Sequence, residues 1–283
     1  MGGTWSNSVE LFKSSWGVLR RHRSLVAFPI ISAIVTIILI AVLALPAYFL
    51  TGASGGHINN PVLFYVFFFI FYFVGSFIVI FFNTGLIACA SQALRGEDPD
   101  FSYGMGVAKK NIGKVAGWAL VSATVGLILK MIRERAGVLG AVIAGLIGFA
   151  WNLIVYFVIP VFVFQGFGVI DSIKESASLF RRTWGENMVA RFSLGIIFFL
   201  LGLLAIIPII LAAMTKNAGV IIGVAALTLV YWTVLAVVSS SLNGILAMAL
   251  YQYAISGQVP QDYNQYAITG AFQQKQPGRF GTR

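Results

Sequence analysis

Few residues of this chain have types that suit catalysis or metal binding: two histidines, one cysteine and nine acids among 283 residues. His22 sits among arginines and His57 lies in a short polar stretch, so neither shares an apolar segment with a nucleophile or a second ligand. No H-E-x-x-H occurs, so no helix offers zinc two imidazoles one turn apart. Cys89 alone builds neither a thiolate cluster nor an intramolecular disulfide. There is no Ser/His pair within an apolar segment for acyl transfer, no Asp pair for aspartyl proteolysis, and no Gly-Lys-Ser/Thr run to close a phosphate loop. The expectation is a chain that is not an enzyme and takes no metal or cofactor. Neutral hydrogen-bonding groups inside apolar runs remain: Asn83, Asn152, Gln165, Asn243 and Ser239-Ser-Ser241. They suit interhelical hydrogen bonds worth about 1 kcal/mol each, or the lining of a polar cavity or neutral pore.

The elements that must position these groups are set by composition. The chain is 59% hydrophobic and 10% charged, with mean hydropathy +0.89, where soluble domains carry about 25% charged residues. Its apolar residues fall in long unbroken runs: Ala27 to Leu50, Val62 to Ala90, Ile112 to Ile132, Ala136 to Gly168, Phe192 to Met214 and Ala218 to Leu250. Runs of about 20 residues match helices crossing a bilayer, and a helix satisfies its own backbone there. The fold expected is all-α, a polytopic transmembrane bundle of about six spans. The third run is the weakest, because only Val115 to Leu129 is free of charge, with Lys114 and Lys130 reaching toward opposite head-group layers. A re-entrant hairpin through the third and fourth runs is the alternative. Pro46, Pro160 and Pro208 are expected to kink the runs they interrupt.

Basic residues orient the chain. With six spans, one side receives the N-terminal arginines, Arg95, Lys109, Lys110, Lys114, Lys174, Arg181, Arg182, Arg191 and the basic residues of the tail. Only Lys130, Arg133, Arg135 and Lys216 are left for the other. Both termini are therefore expected in the cytoplasm of a prokaryotic cell, with the protein in its inner or plasma membrane. The net charge of +10 is spread over the ends of spans and forms no continuous patch, which points to anionic lipid head groups and away from nucleic acid.

A short amphipathic stretch precedes each odd-numbered span. Trp5, Val9, Phe12, Trp16 and Leu19 recur at helical spacing in the first, Phe101, Met105, Ala108, Ile112 and Val115 in the second, and Ile173, Ala177, Phe180 and Trp184 in the third. Asn7 with Glu10 and Ser172 with Glu175 read as capping boxes, while Gly104 and Gly106 weaken the second stripe. Leu11-Phe-Lys-Ser-Ser-Trp-Gly17 matches Leu179-Phe-Arg-Arg-Thr-Trp-Gly185, and Gly96-Glu-Asp-Pro99 resembles Gly257-Gln-Val-Pro260. The chain thus divides into three units, about 5–96, 101–168 and 171–257, each an in-plane helix followed by a transmembrane pair within one membrane domain of residues 1–257. Residues 258–283, rich in Gln, Gly and Pro, read as a loosely ordered cytoplasmic tail. The interfacial anchors expected are Trp5, Trp16 and Trp184 with Arg20, Arg21, Arg181 and Arg182. Two interleaved small-residue rows, Gly137, Ala141 and Gly145 beside Gly140, Ala144 and Gly148, suit close helix packing within the chain or between subunits.

Further motifs carry a resemblance: the opening Leu11-Phe-x-x-x-Trp-Gly17, Trp151-Asn152, Ile159-Pro-Val161, Gly166-x-Gly-x-x-Asp-Ser-Ile-Lys-x-Ser176 and Trp184-Gly185. In these the chain resembles an uncharacterised family of prokaryotic six-helix membrane proteins, and more loosely the membrane domains attached to some glycerophosphodiester phosphodiesterases. Relatives often carry an acid where Gln165 stands. The resemblance implies a fold and no activity. The function expected is a non-enzymatic scaffold or assembly subunit with membrane-protein partners or further copies of itself. The alternative is a passive channel or carrier for a neutral or lipid-like solute.

Overall fold

The computed structural model describes residues 3–52, 61–135, 137–184, 193–265 and 268. Its helices in chain order are α1 (Gly3–Arg21), α2 (Ala27–Gly52), α3 (Pro61–Leu94), α4 (Phe101–Lys110), α5 (Ile112–Arg135) and α6 (Gly137–Ile154). Then come α7 (Val158–Phe164), α8 (Val169–Trp184), α9 (Ser193–Leu204), α10 (Ile206–Met214) and α11 (Ala218–Ser256). No strand occurs among the described residues. The fold is an all-α polytopic bundle, as the apolar runs require.

Five helical segments among the described residues are long and apolar enough to cross a membrane. The fifth expected span departs from this, being broken at Ala205 into α9 and α10. The fourth is likewise broken, between α6 and α7. Both breaks lie upstream of a proline, Pro208 and Pro160, because proline has no N–H to donate and its ring crowds the carbonyl four residues back. The third run forms one unbroken helix of 24 residues, about 36 Å at 1.5 Å per residue, which exceeds a hydrocarbon core of about 30 Å. Its length fits a full crossing better than a re-entrant hairpin.

The core is lopsided. Fully buried side chains gather where α1, α4 and α8 meet the ends of the long helices: Val18, Leu25, Phe28, Leu86, Val115, Phe157, Phe162, Leu242 and Ile245. Toward the opposite end more apolar side chains face outward, with Ile34, Ile37, Ile38, Ile40, Val42, Val62, Val66, Val138, Leu146 and Leu227 exposed to the surroundings. We call the packed end the basic end, since it carries Arg20, Arg21, Arg95, Lys109, Lys110, Lys174 and Arg181. Connecting segments converge there, with Ser24 Oγ donating to Pro99 O at 3.4 Å and His22 Nδ1 lying 3.9 Å from Asp98.

Two junctions show why the sequence ends its helices where it does. Gly96 and Gly257 both take left-handed φ, +77° and +70°, just beyond α3 and α11, as the likeness of their flanking sequences suggested. Gly104, which by propensity alone weakens α4, is instead its contact point with α3. A Cβ there would stand 2.6 Å from Cys89 Sγ and 2.8 Å from Gly85 O, so only glycine lets the two backbones approach this closely. The capping boxes are corrected: α1 begins at Gly3 and α8 at Val169, so Asn7 and Ser172 lie within helices and do not cap them.

Candidate functional site

At the basic end α1 and α8 each lay one face on the bundle. In α1 that face is Leu11, Ser15, Val18 and Leu19, rotated by about one residue from the stripe read in sequence. Trp16 therefore points outward, 43% exposed, with its ring stacked on Phe12 at 6.4 Å between centroids. The rotation follows from packing: α1 sits against α11 with its aliphatic face and Ser15, and the indole is left outside. In α8 the buried residues are Ser172, Ser176 and Leu179, while Ile173, Ala177 and Phe180 flank them. Leu11 and Leu179, equivalent in the repeated heptapeptides, are both buried. Arg20, Arg21 and Arg181 are exposed beside these faces. The side chains of Trp5, Arg182 and Trp184 lie outside the described residues.

The breaks in the fourth and fifth spans free backbone groups that lipid cannot satisfy. Neighbouring side chains do so. Ser176 Oγ, from α8, donates to Ile154 O at 2.6 Å and accepts from Phe157 N at 3.0 Å, closing both sides of the α6–α7 break. Lys114 Nζ donates to Phe162 O at 3.0 Å and Gly166 O at 2.8 Å, placing its charge at the C-terminal end of α7. At the second break Tyr231 Oη donates to Leu201 O at 2.9 Å and Trp232 Nε1 to Gly202 O at 3.2 Å. Ser176 ends the motif that begins at Gly166, but nothing in one sequence says that its hydroxyl seals another helix. Lys114, expected to reach for head groups, meets these carbonyls at the basic end. Lys130, at the far end of α5, lies 3.3 Å above the Phe68 ring and 3.6 Å from Glu134.

The four amides, expected as interhelical hydrogen bonds or as the lining of a polar cavity, have separate environments. Asn152 is exposed, and Asn243 Nδ2 bonds back to Ser239 O at 2.9 Å within its own helix. Gln165 Nε2 donates to Tyr251 Oη at 3.1 Å, fastening the end of α7 to α11. Asn83 faces α11 at Gly244 with its Oδ1 buried and unpartnered. Two open grooves lie elsewhere, nearer the less buried end. One of about 400 Å³ between α2, α3 and α5 is lined by Phe71, Ser76, Trp118 and Ser122, and another of about 440 Å³ between α2, α3 and α11 by Ser32, Trp232, Thr233 and Ser240. Thr36 and Val79 border both. Of the two rows of small residues, Gly140 and Ala144 are buried in the chain and Gly148 meets Leu129, whereas a Cβ at Gly145 would touch nothing.

Electrostatics at the basic end is local. Arg95 holds the Glu97 carboxyl below its usual range through a 2.8 Å hydrogen bond, and the same contact raises the guanidinium. Burial pushes the Tyr263 phenol well up. Among the described residues no three His, Cys, Asp or Glu side chains stand close enough to hold a metal ion.

The residues after α11 were expected to be loose, and this is corrected for their first part. Pro260, Tyr263 and Ile268 are buried at the basic end, Tyr263 against Ser15. Residues 269–283 lie outside those described.

Fold and site together define an all-helical bundle of membrane-spanning type, tied at its basic end by short helices and side-chain caps on broken spans. The chain belongs to the family of unknown function DUF6159, whose model matches residues 62–261. No curated protein and no solved structure matches it.

Proposed function

We propose that this protein is a non-enzymatic scaffold or assembly subunit of a membrane complex, fixed in the cytoplasmic leaflet of a prokaryotic cell membrane with both termini inside. The observation that carries this reading is the burial gradient, which makes the basic end a packed platform and leaves the outer halves of the long helices uncovered. A platform bearing Trp16, Arg20, Arg21 and Arg181 suits the head-group layer, where indole rings and cations beside anionic lipid are favoured. The uncovered halves then offer partner helices or further copies a large apolar surface. The looser likeness to membrane domains of glycerophosphodiester phosphodiesterases belongs with this reading as a likeness of fold, and brings no catalytic role.

Purification in gentle detergent tests the proposal. Recovery of a stable complex with other membrane proteins or with further copies supports it. A lone chain that makes liposomes permeable to a neutral solute supports the second reading, a passive carrier or channel, which the two grooves beside Thr36 favour.

A further inference from the structure

The chain does not leave the bundle where α11 ends. After the left-handed turn at Gly257 it runs back to α1 and meets it at three successive positions. Asp262 pairs with Arg21, Tyr263 meets Ser15, and Asn264 donates to Glu10 Oε1. Of these contacts only the second is buried. Ser15 Oγ gives its proton to Leu11 O at 2.9 Å, so the Tyr263 hydroxyl, 2.7 Å away, is the donor to Ser15. Ile268, fully buried, anchors the end of the described segment.

We infer that residues 258–265, with Ile268, are a releasable latch that braces α1 on the bundle. Several observations argue for release as well as closure. The Arg21–Asp262 pair is exposed on its arginine side, 63% against 12% for the aspartate, so solvent and salt weaken it. The Glu10–Asn264 bond is exposed too. The closed state is therefore held by one buried hydroxyl pair and the apolar side chains of Val259, Pro260, Tyr263 and Ile268, the kind of small contact that opens locally before the rest of a fold. Asp262 to Ile268 and the whole of α1 lie outside the segment matched by the family model, so the latch joins two parts of this chain that flank the shared bundle. When it opens, α1 loses its ties to the segment after α11 and keeps only its own packing on α11 and its neighbours, while its outward face, with Trp16, already points away from the bundle. The free α1 is then available to the head-group layer. This inference does not depend on the scaffold reading.

The test is hydrogen exchange on the full-length protein in nanodiscs of neutral lipid, read over residues 9–21 with α5 as internal reference. Asp262→Arg and Arg21→Asp should each speed exchange in α1 about twofold to fivefold, and the double variant carrying both should return it to the parent rate. Tyr263→Phe should speed it about threefold to tenfold, since Ser15 keeps its bond to Leu11 but loses its donor. Raising salt should quicken α1 in the parent and leave Asp262→Asn unchanged. Exchange in α1 that matches the parent in every variant overturns the latch. So does a rise that appears equally in α5, or a charge-reversed pair that fails to restore protection. The salt series on the parent decides the matter if the variants do not fold.

Discussion

Ser176 Oγ stands 3.0 Å from Phe157 N and 2.6 Å from Ile154 O, so one hydroxyl on α8 satisfies both the donor and the acceptor left open by the break between α6 and α7. A broken helix at membrane depth survives only with such partners. Ser172, one turn earlier on the same buried face, has a hydroxyl without a partner.

The two serines therefore predict opposite outcomes from one substitution. Ser176→Ala should lower stability by about 1–3 kcal/mol, because two buried backbone groups lose their partner. Ser172→Ala should be neutral or slightly stabilising, since it removes a buried polar atom that bonds nothing. Thermal melting of both variants in the same nanodisc decides the matter. Equal melting temperatures would remove the cap from this account of the fourth span.

Gly104 and Gly106 form a second matched pair. Gly104→Ala forces a methyl against Cys89 Sγ, the Phe28 ring and the Gly85 carbonyl, and a backbone carbonyl cannot swing aside. The cost expected is about 1–3 kcal/mol or more. Gly106→Ala meets nothing within 4 Å and should stabilise α4 by up to about 1 kcal/mol through helix propensity. Denaturation of the two variants in detergent gives the comparison, and a Gly104 variant as stable as the parent would mean that α4 does not seat on α3 there.

Tyr263 gives a pH dependence. Burial raises its phenol above the ordinary value of 10.0, so the folded state favours the protonated form. Its contribution to stability is then fully present below pH 10.0 and is lost as pH climbs toward the folded value. Alkaline titration should loosen α1 in the parent only above that point, while Tyr263→Phe should show no such step. Ultraviolet absorbance of tyrosinate in parent and variant, followed beside hydrogen exchange of α1, reports both halves of the expectation. Glu97 acts with the opposite sign: Arg95 lowers its carboxyl from 4.5, so the 95–97 contact persists above that value and weakens as pH falls through the folded one.

Much of the frame is legible in the residues. Apolar runs place the long helices, and Gly96 and Gly257 mark corresponding ends of α3 and α11, because both signals are local and depend on hydrophobic length or on backbone conformation. What escapes is set by distant partners. The stripe through Phe12 and Trp16 has a sound helical period, yet α11 selects the neighbouring face of Leu11, Ser15 and Val18. Pro160 and Pro208 announce the breaks, but Ser176, Tyr231 and Trp232 come from other helices to seal them. The segment after Gly257 has the polar composition of a loose tail, yet Pro260, Tyr263 and Ile268 are buried, side chains whose burial no period reveals. Asn83, Gln165 and Asn243 read as interhelical hydrogen-bonding groups or a polar lining, while which neighbour each meets, Tyr251 for Gln165 and Ser239 for Asn243, depends on the packing.

The central claim is a bundle closed at its basic end and open at the other, and spin-label distances across each end in lipid nanodiscs test it most directly. One pair at Arg23 and Lys110 and a second at Arg135 and Lys216 use exposed positions, so neither disturbs the core. The account predicts a narrow distribution for the first pair that does not change with lipid. For the second it predicts a broader one that shifts with bilayer thickness, because fewer buried side chains hold the outer halves. Two distributions of equal width, both indifferent to lipid, would contradict it.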